Sequence, residues 1–361
     1  MNHSTFKSFT FGIGLFFTLP LVYGNSSSLS FSDGTLYINK SKTHKVAPVK
    51  YGFHYEEIGM MGEGALHAEL IRNRSFEEAT PPAGLSVKNG LYENVPAPRV
   101  KEKKVFQADP LIGWTTYPLS YTPVFISRTD ENPMSGENKY SMLVNVTEDI
   151  ANHSDALILN RGYYGMNLKT DTSYRLSLFL KNRNYSAPLR VFLVDEWGQR
   201  VSNVIEVNVG NRDWTKYTGE LKPEKNVRRG MFAIQPMSKG QFQIDVVSLF
   251  PSDTWNDGKS VFRKDIVQNL KEFSPSFIRF PGGCIVHGVN EETMYHWKKT
   301  LGPIENRPGQ WSKWAPYYRT DGIGYHEFYE LCEYVGADAM YVMPTGCLLY
   351  TSPSPRDSTS S

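Results

Sequence analysis

Residues 262–280 read FRKDIVQNLKEFSPSFIRF, a segment whose pattern changes from helical to strand-like at its last four residues. The apolar residues of its first part are spaced by four, four and three: Phe262, Ile266, Leu270 and Phe273. This spacing predicts a helix with one apolar stripe that packs against a sheet. The run Phe277–Phe280 predicts a strand directly after that helix. The segment is therefore typical of one repeat of a parallel α/β fold.

The chain that follows repeats this pattern. A second predicted helix ends at Gly336, whose missing side chain suits a left-handed helix end. The apolar residues of this helix are Phe328, Leu331, Cys332 and Val335. The run Met340–Met343 then predicts a further buried strand.

The chain near residue 50 also begins with a strand-like run. Val49–Tyr55 predicts a strand, Gly59–Gly64 a turn and Ala65–Arg72 a helix. Strand, helix, strand, helix, strand is the order of a parallel α/β barrel. A complete barrel takes roughly 250 residues, about twice what these segments supply. We therefore expect a partial (β/α)8 TIM barrel with the first three strands only.

Between about Ala79 and Pro251 the period changes to that of strands. One predicted strand has a single apolar face formed by Tyr174, Leu176, Leu178 and Leu180. Another has Phe242, Ile244 and Val246 on one face. Short alternating strands separated by Gly and Asn turns predict an all-β insert, a β-sandwich of the jelly-roll type.

The N-terminus has the pattern of an export signal. Lys7 precedes the apolar run Phe9–Leu19, and small residues follow at Val22–Gly24. The apolar run is too short to span a bilayer. We expect a secreted or periplasmic protein with no membrane contact after cleavage. The predicted segments are the signal peptide 1–24, a leader 25–45, the barrel start 46–78, the inserted sandwich 79–254, the barrel continuation 255–346 and a tail 347–361.

The tail interrupts the α/β pattern. Residues 347–357 read CLLYTSPSPRD, with two prolines where the next helix should begin. Back-translation of this string resembles a transposase adapter used to prepare sequencing libraries. We therefore expect the biological coding sequence to end near Gly346, the alternative being a natural Pro/Ser-rich linker.

Composition excludes several classes of function. Lysine and arginine number 39 against 37 acidic residues, a net charge of +2 with no long run of either sign, so no nucleic-acid partner is expected. The 3 cysteines lack metal-ligand spacing, and neither a disulfide framework, a metal site nor a cofactor is predicted. The 7 Trp, 21 Tyr and 20 Phe suit stacking on sugar rings or ordinary core packing.

Three groups of strings carry a family resemblance. They are YGFHYEEI at 51–58 with GEGALHAELIRNRSFE at 62–77, DVVSLFP at 245–251, and FIRFPGGC at 277–284 with WKKTLGP at 297–303. These strings resemble the α-L-arabinofuranosidases of glycoside hydrolase family 51. The predicted sandwich is similar to family 4 carbohydrate-binding modules, less closely. The resemblance implies a retaining, exo-acting enzyme that releases terminal α-L-arabinofuranosyl residues from plant cell-wall arabinoxylan or arabinan.

The resemblance also assigns substrate-binding residues. In a parallel barrel the active site forms at the carboxyl ends of the strands, where Glu56, Arg279, Gly282 and Gly283 lie. In the family, the residue matching Glu56 binds arabinose hydroxyls and the arginine matching Arg279 sits beside the nucleophile. The alternatives are a solvated carboxylate for Glu56 and a barrel-closing ion pair for Arg279.

Two further candidates are Cys284 and Trp314. Some family members have asparagine at the position of Cys284 and use it to contact sugar, whereas a cysteine can equally be a small buried apolar residue. Trp314 either lines the arabinose pocket or packs in the core.

The two catalytic glutamates of the family come from the ends of its fourth and seventh strands, so no catalytic residue is expected in this chain. We accordingly expect the chain itself to be an inactive fragment of a longer enzyme. The resemblance is compatible with a homo-oligomeric full-length protein. A second hypothesis is a non-catalytic carbohydrate-binding protein that acts through the sandwich alone. The barrel strings favour the enzyme, because a binding module has no use for them.

Overall fold

The computed structural model describes residues 51–78, 87–88, 91–93, 105–107, 109–149, 155–288, 294–311 and 318–344. The predicted signal peptide, leader and tail lie outside these residues. In the described part of the chain, no helix has the length and apolar character needed to cross a membrane.

The strands are numbered in chain order. They are β1 Phe53–His54, β2 Val87–Lys88, β3 Leu91–Glu93, β4 Val105–Gln107, β5 Trp114–Tyr117, β6 Val124–Thr129, β7 Ser141–Val146, β8 Leu157–Asn160, β9 Met166–Leu168, β10 Tyr174–Asn182, β11 Pro188–Val194, β12 Ile205–Asn208, β13 Thr215–Leu221, β14 Val227–Gln235, β15 Gly240–Pro251, β16 Phe277–Phe280, β17 Gln310–Trp311, β18 Tyr318–Arg319 and β19 Asp338–Tyr341. The α-helices are α1 Lys264–Phe273, α2 Cys284–His287 and α3 Tyr325–Val335.

Three strands form a parallel sheet in the order β1-β16-β19. Helix α1 precedes β16 and α3 precedes β19, as the sequence predicts. The ring of Phe280 is the centre of the core beneath the helices, since it stacks on Tyr55 at 5.0 Å and on Phe328 at 4.9 Å between ring centroids. The described strands make an open sheet and not a closed barrel.

The prediction of a helix over Ala65–Arg72 is wrong. One irregular helical turn covers Gly62–Leu66, with Gly64 at φ +72°, and the chain then runs extended. The extended backbone pairs with distant segments: Ala68 N–H donates to Val261 O at 2.8 Å and Leu70 N–H to Leu249 O at 3.1 Å. These nonlocal hydrogen bonds replace the ones that a helix would have supplied.

The third predicted strand is displaced and more exposed than expected. It spans Asp338–Tyr341, two residues earlier than the apolar run, and Met340 is 46% exposed. This strand is an edge of the parallel sheet, paired on one side only within the described residues. A strand with a single neighbour is not covered as an interior strand is.

The apolar stripe of α1 also differs in part. Phe262 is fully buried but precedes the helix, and Val267 is the buried residue within it. Phe273, expected to pack against the sheet, is 62% exposed at the last turn, where its ring contacts Phe53 edge-on at 5.7 Å. The helix is therefore anchored mainly through its first half.

Two antiparallel sheets lie between β1 and β16 in the chain and pack face to face; together they are called the double sheet. One has the order β13-β10-β15-β7-β6, and the other β12-β11-β14-β8-β5 with β9 beside β14. A single buried core contains residues of both. The predicted apolar face of β10, with Tyr174, Leu176, Leu178 and Leu180, is confirmed as buried in that core.

Strand β15 changes face halfway along its length. Val246 has φ +42°, and the register with β10 shifts between Ser177 and Phe179. Phe242 and Ile244 belong to the core of the double sheet, but beyond the bulge Val247 and Leu249 take over. The prediction that Val246 continues the apolar face is therefore wrong, because a bulge inserts one residue and reverses the alternation.

Beyond this bulge, β15 receives a new neighbour. Strand β7 pairs with β15 only as far as Ile244. The segment 69–74 takes its place, with Val247 N–H donating to Arg74 O at 2.9 Å. The chain that leaves the parallel sheet is thus hydrogen-bonded to the strand that returns to it.

The buried carboxylate of Glu69 fastens this junction. Its Oε1 accepts hydrogen bonds from Ile71 N–H at 3.0 Å and Leu249 N–H at 2.8 Å, and its Oε2 accepts one from the Ser248 hydroxyl at 2.6 Å. Burial raises the pKa of Glu69, and the nearby Arg74 guanidinium opposes that shift. Two backbone donors that would otherwise be buried without a partner are therefore satisfied by one side chain.

We expect Glu69→Ala to lower the free energy of unfolding by about 2–4 kcal/mol, because it leaves both N–H groups without an acceptor. Ser248→Ala is the matched control: it removes one donor to the same carboxylate, leaves both N–H bonds intact and should cost about 1 kcal/mol. Chemical denaturation of the two variants measures both values. Equal losses would contradict the role given to Glu69.

Candidate active site at the carboxyl ends of the parallel strands

The candidate site is the edge at which the parallel strands end, called here the mouth. His54 ends β1 and lies in register with Arg279 of β16. The pairing continues one step further, where Tyr55 N–H donates to Arg279 O at 2.8 Å. Glu56 therefore leaves β1 at the level at which β16 passes into its glycine turn.

Arg279, His54 and Glu56 form a contiguous polar group. Arg279 Nη1 lies 3.2 Å from His54 Nδ1 and also contacts Nε2, and His54 Nε2 is 3.5 Å from Glu56 Oε2. Burial and the Arg279 charge lower the pKa of His54, while Glu56 acts in the opposite direction. A neutral imidazole can accept a hydrogen bond from the guanidinium, so His54 links the two charged residues.

The two glycines that follow β16 determine where these side chains lie. Gly282 has φ +135°, and a Cβ atom there would come within 2.5 Å of Glu56 Cγ. A Cβ atom on Gly283 would lie 3.3 Å from Arg279 Nη2. Only a residue without a side chain leaves room for Glu56 in its present position.

Of the other two predicted site residues, one is placed and one is not. Cys284 begins the short helix α2 and is exposed, so it is not the small buried apolar residue that one interpretation required. Trp314 lies outside the described residues.

Glu57 has surroundings quite different from those of its neighbour. It is buried, and its Oε2 accepts a hydrogen bond from the Tyr55 hydroxyl at 3.1 Å. Burial and the Glu57 carboxylate raise the pKa of Tyr55 far above its ordinary value, so the hydroxyl keeps its proton and donates. Glu56, by contrast, lies beside His54 with 18% of its side chain exposed. Of these two neighbouring carboxylates, Glu56 is thus the more exposed one at the mouth.

Two buried ionic residues, for which the sequence analysis predicts no role, hold the loops around the mouth. Glu63 accepts hydrogen bonds from Thr320 N–H at 2.9 Å and from the Thr320 hydroxyl at 2.7 Å. Arg307 forms a two-pronged ion pair with Glu327 of α3, at 2.7 and 3.0 Å, and donates to Gly302 O. The string at 62–77, which contains Glu63, therefore owes part of its character to loop anchoring.

Chemically, the mouth suits a polar ligand. Within the described ranges, no group of three or more His, Cys, Asp or Glu side chains could hold a metal ion. A carboxylate accepts and a guanidinium donates hydrogen bonds, a combination that matches the hydroxyl groups of a sugar. Arg279 has no carboxylate in ion-pair contact among the described residues, so its charge remains available to a further anionic group at the mouth.

The chain is similar to several known proteins. The family model for the alpha-L-arabinofuranosidase 1 domain matches residues 269–357. Alpha-L-arabinofuranosidase 1 of Arabidopsis thaliana is 28% identical over 82% of this chain and 40% of its own length. The extracellular exo-alpha-L-arabinofuranosidase of Streptomyces chartreusis is 28% identical over 82% of this chain and 33% of its own length.

A solved structure shows the same fold. The arabinose-bound MgGH51 α-L-arabinofuranosidase matches with a TM-score of 0.69 at 24% identity, over 89% of this chain and 48% of its own. The chain spans less than half the length of each of these relatives. Both sequence relatives are α-L-arabinofuranosidases by name. The chain is therefore similar to α-L-arabinofuranosidases, and its fold is that of a family 51 member.

Gly282→Ala is expected to displace Glu56 and so lower the pKa of His54 further, because the carboxylate that raises it moves away. Gly302→Ala is the matched control: it also replaces a glycine at positive φ (+81°), but nothing lies within 4 Å of the added carbon. NMR titration of the histidine ring, assigned with a His54→Asn variant, measures the shift. An unchanged His54 pKa in Gly282→Ala would show that Glu56 tolerates the added carbon.

Proposed function

We propose that this chain is the N-terminal part of a retaining, exo-acting α-L-arabinofuranosidase (EC 3.2.1.55). The proposed substrates are terminal non-reducing arabinofuranosyl groups of plant cell-wall polysaccharides. The observation that carries the proposal is the contact of Glu56 with Gly282 and of Arg279 with His54 at the ends of two adjacent parallel strands. These are the positions that the family resemblance assigns to substrate binding.

The proposal assigns a separate task to each residue. Glu56 accepts hydrogen bonds from arabinose hydroxyls, and Gly282 and Gly283 let the sugar approach the backbone. Arg279 holds the nucleophilic carboxylate ionised from a neighbouring position, as a retaining mechanism requires. Cys284 is exposed at the same turn and contacts the sugar. The acid/base and the nucleophile are glutamates of further strands, so the 361-residue chain alone is expected to be inactive.

The wider architecture is part of the same proposal. The parallel sheet is the beginning of a (β/α)8 barrel, and the double sheet is a domain inserted after its first strand. Export follows from the predicted signal peptide, and the extracellular relative supports it.

The test is hydrolysis of an aryl α-L-arabinofuranoside by the full-length gene product. We expect retention of configuration in the first product observed by proton NMR, because a covalent glycosyl-enzyme intermediate inverts the anomeric carbon twice. The 361-residue chain, assayed beside it, should give no turnover above a buffer blank. Inversion would overturn the proposed mechanism, and turnover by the chain alone would mean that its catalytic carboxylates lie within these residues.

A second candidate function is carbohydrate binding by the double sheet. A groove of about 430 Å³ on the outer face of the six-stranded sheet is lined by Tyr117, Phe192, Arg190, Arg200 and Gln235, among others. Aromatic rings with a few polar groups in a concave surface are the usual features of a sugar site. The groove would let the double sheet bind polysaccharide whether or not the mouth is catalytic.

We expect Arg190→Ala to weaken binding of soluble arabinoxylan by about tenfold, because Arg190 lies inside the groove and supplies planar donors to hydroxyl groups. Arg212→Ala, at an exposed site outside the groove, is the control and should bind as the unaltered chain does. Affinity electrophoresis measures both. Absence of binding to any plant cell-wall polysaccharide would make the double sheet a spacer.

A further inference from the structure

A second cleft lies where the double sheet meets the parallel sheet, apart from the mouth and from the groove. Its volume is about 600 Å³, within the range of roughly 300–1,000 Å³ that is usual for small-molecule sites. Four segments form its walls: residues 64–70, 163–169, 251–254 and 263–268. The cleft therefore exists only because the two parts of the chain are joined.

The floor of the cleft is rigid. The Tyr174 hydroxyl donates to Asn167 O at 3.2 Å and accepts from Lys169 N–H at 3.0 Å, which fixes the wall segment that carries both. At one end the ring of Tyr163 lies against Gly64, where a Cβ atom would come within 2.6 Å of it. Thr254, 2% exposed, lines the cleft with a hydroxyl that has no hydrogen-bond partner among the described residues.

The rim of the cleft contains exposed polar side chains that make no side-chain hydrogen bond or ion pair within the described part of the chain. Tyr164 is 84% exposed, and Asn167, Lys169, Asp253 and Lys264 are exposed around it. Within the described part of the chain, none of these five side chains forms a hydrogen bond or an ion pair. An exposed aromatic ring beside hydrogen-bond donors and acceptors is a combination of groups that is typical of a ligand-binding surface.

The charges of the cleft favour a neutral ligand. Lys169 and Lys264 are offset in part by Asp253, and Arg263 is already bound to Asp265 through two hydrogen bonds of 2.6 and 3.1 Å. Asp265 also lies in the first turn of α1, so the positive end of that helix already has an anionic partner. What remains is a polar, nearly balanced surface suited to hydroxyl groups.

We propose that this cleft is a second carbohydrate site that binds a neutral oligosaccharide, with Tyr164 stacking on a sugar face and Asn167 bonding its hydroxyls. The inference rests on the proposed substrate class, a neutral plant polysaccharide. The N-terminus of α1, which helps to form the cleft, lies on the same side of the parallel sheet as the carboxyl ends of its strands, because α1 leads directly into β16. A polymer held in the cleft thus lies on the side of the molecule where the mouth opens.

The test is calorimetric titration of the 361-residue chain with linear arabinohexaose and with xylohexaose. The titration is repeated in the Arg190→Ala chain so that the groove does not contribute. We expect binding of at least one probe, weakened about tenfold by Tyr164→Ala and by Asn167→Ala, since removing one stacking ring or one bidentate amide costs on the order of 1.4 kcal/mol. Both residues are exposed, so neither change should affect folding, and a thermal melt checks this.

Tyr121→Ala is the matched control, because Tyr121 is another exposed tyrosine of the double sheet, 56% accessible and outside the cleft. It should bind as the unaltered chain does. Absence of binding of both probes, or equal affinity in Tyr164→Ala, would overturn the proposal, as would tighter binding of a galacturonic acid hexamer. The titration involves no turnover, whereas hydrolysis of a small aryl arabinofuranoside tests the mouth, so the two failures are distinguishable.

Discussion

The carboxylate of Glu69 connects the two parts of the molecule at the point where the chain leaves the parallel sheet and returns to it. It accepts hydrogen bonds from the segment that leaves the parallel sheet and from the strand that returns to it. The bulge at Val246 makes this possible, because β7 stops pairing at Ile244 and exposes an edge of β15 for the outgoing segment. The groups that form the mouth and the cleft are consequently held at defined positions on either side of one junction.

The mouth depends on a different constraint, which is space. Glu56 lies where any side chain at position 282 would stand, and Arg279 lies close to position 283. Among the described residues, Glu56 has His54 as the ionic contact of its carboxylate, whereas the buried Glu57 and Glu63 accept hydrogen bonds from neighbouring groups. The same chemical group thus has a structural role where it is buried and remains partly exposed where a glycine makes room for it.

Local periodicity predicted the elements whose apolar pattern is regular. Helix α3 and the buried face of β10 match it, since each repeats its apolar period without interruption. It failed at Ala65–Arg72 and at Val246, where hydrogen bonds to distant strands and a bulge determine the backbone. Glu56, Arg279 and the glycines of the mouth were found through the family strings. His54 is in the same string but received no role, because its contact with Arg279 depends on strand register, which periodicity does not reveal.

The pairing of segment 69–74 with β15 also bears on how such a protein changes over evolutionary time. Because the outgoing and returning chains are hydrogen-bonded neighbours, the double sheet joins the rest of the molecule through two adjacent segments. Domains whose ends are adjacent can be lengthened, replaced or removed with little disturbance to the host fold. The features that must survive such an exchange are few: an acceptor in the place of Glu69 and a bulge that reverses the face of the last strand. A lineage that keeps these two features can alter the surfaces of the double sheet while the geometry of the mouth stays the same.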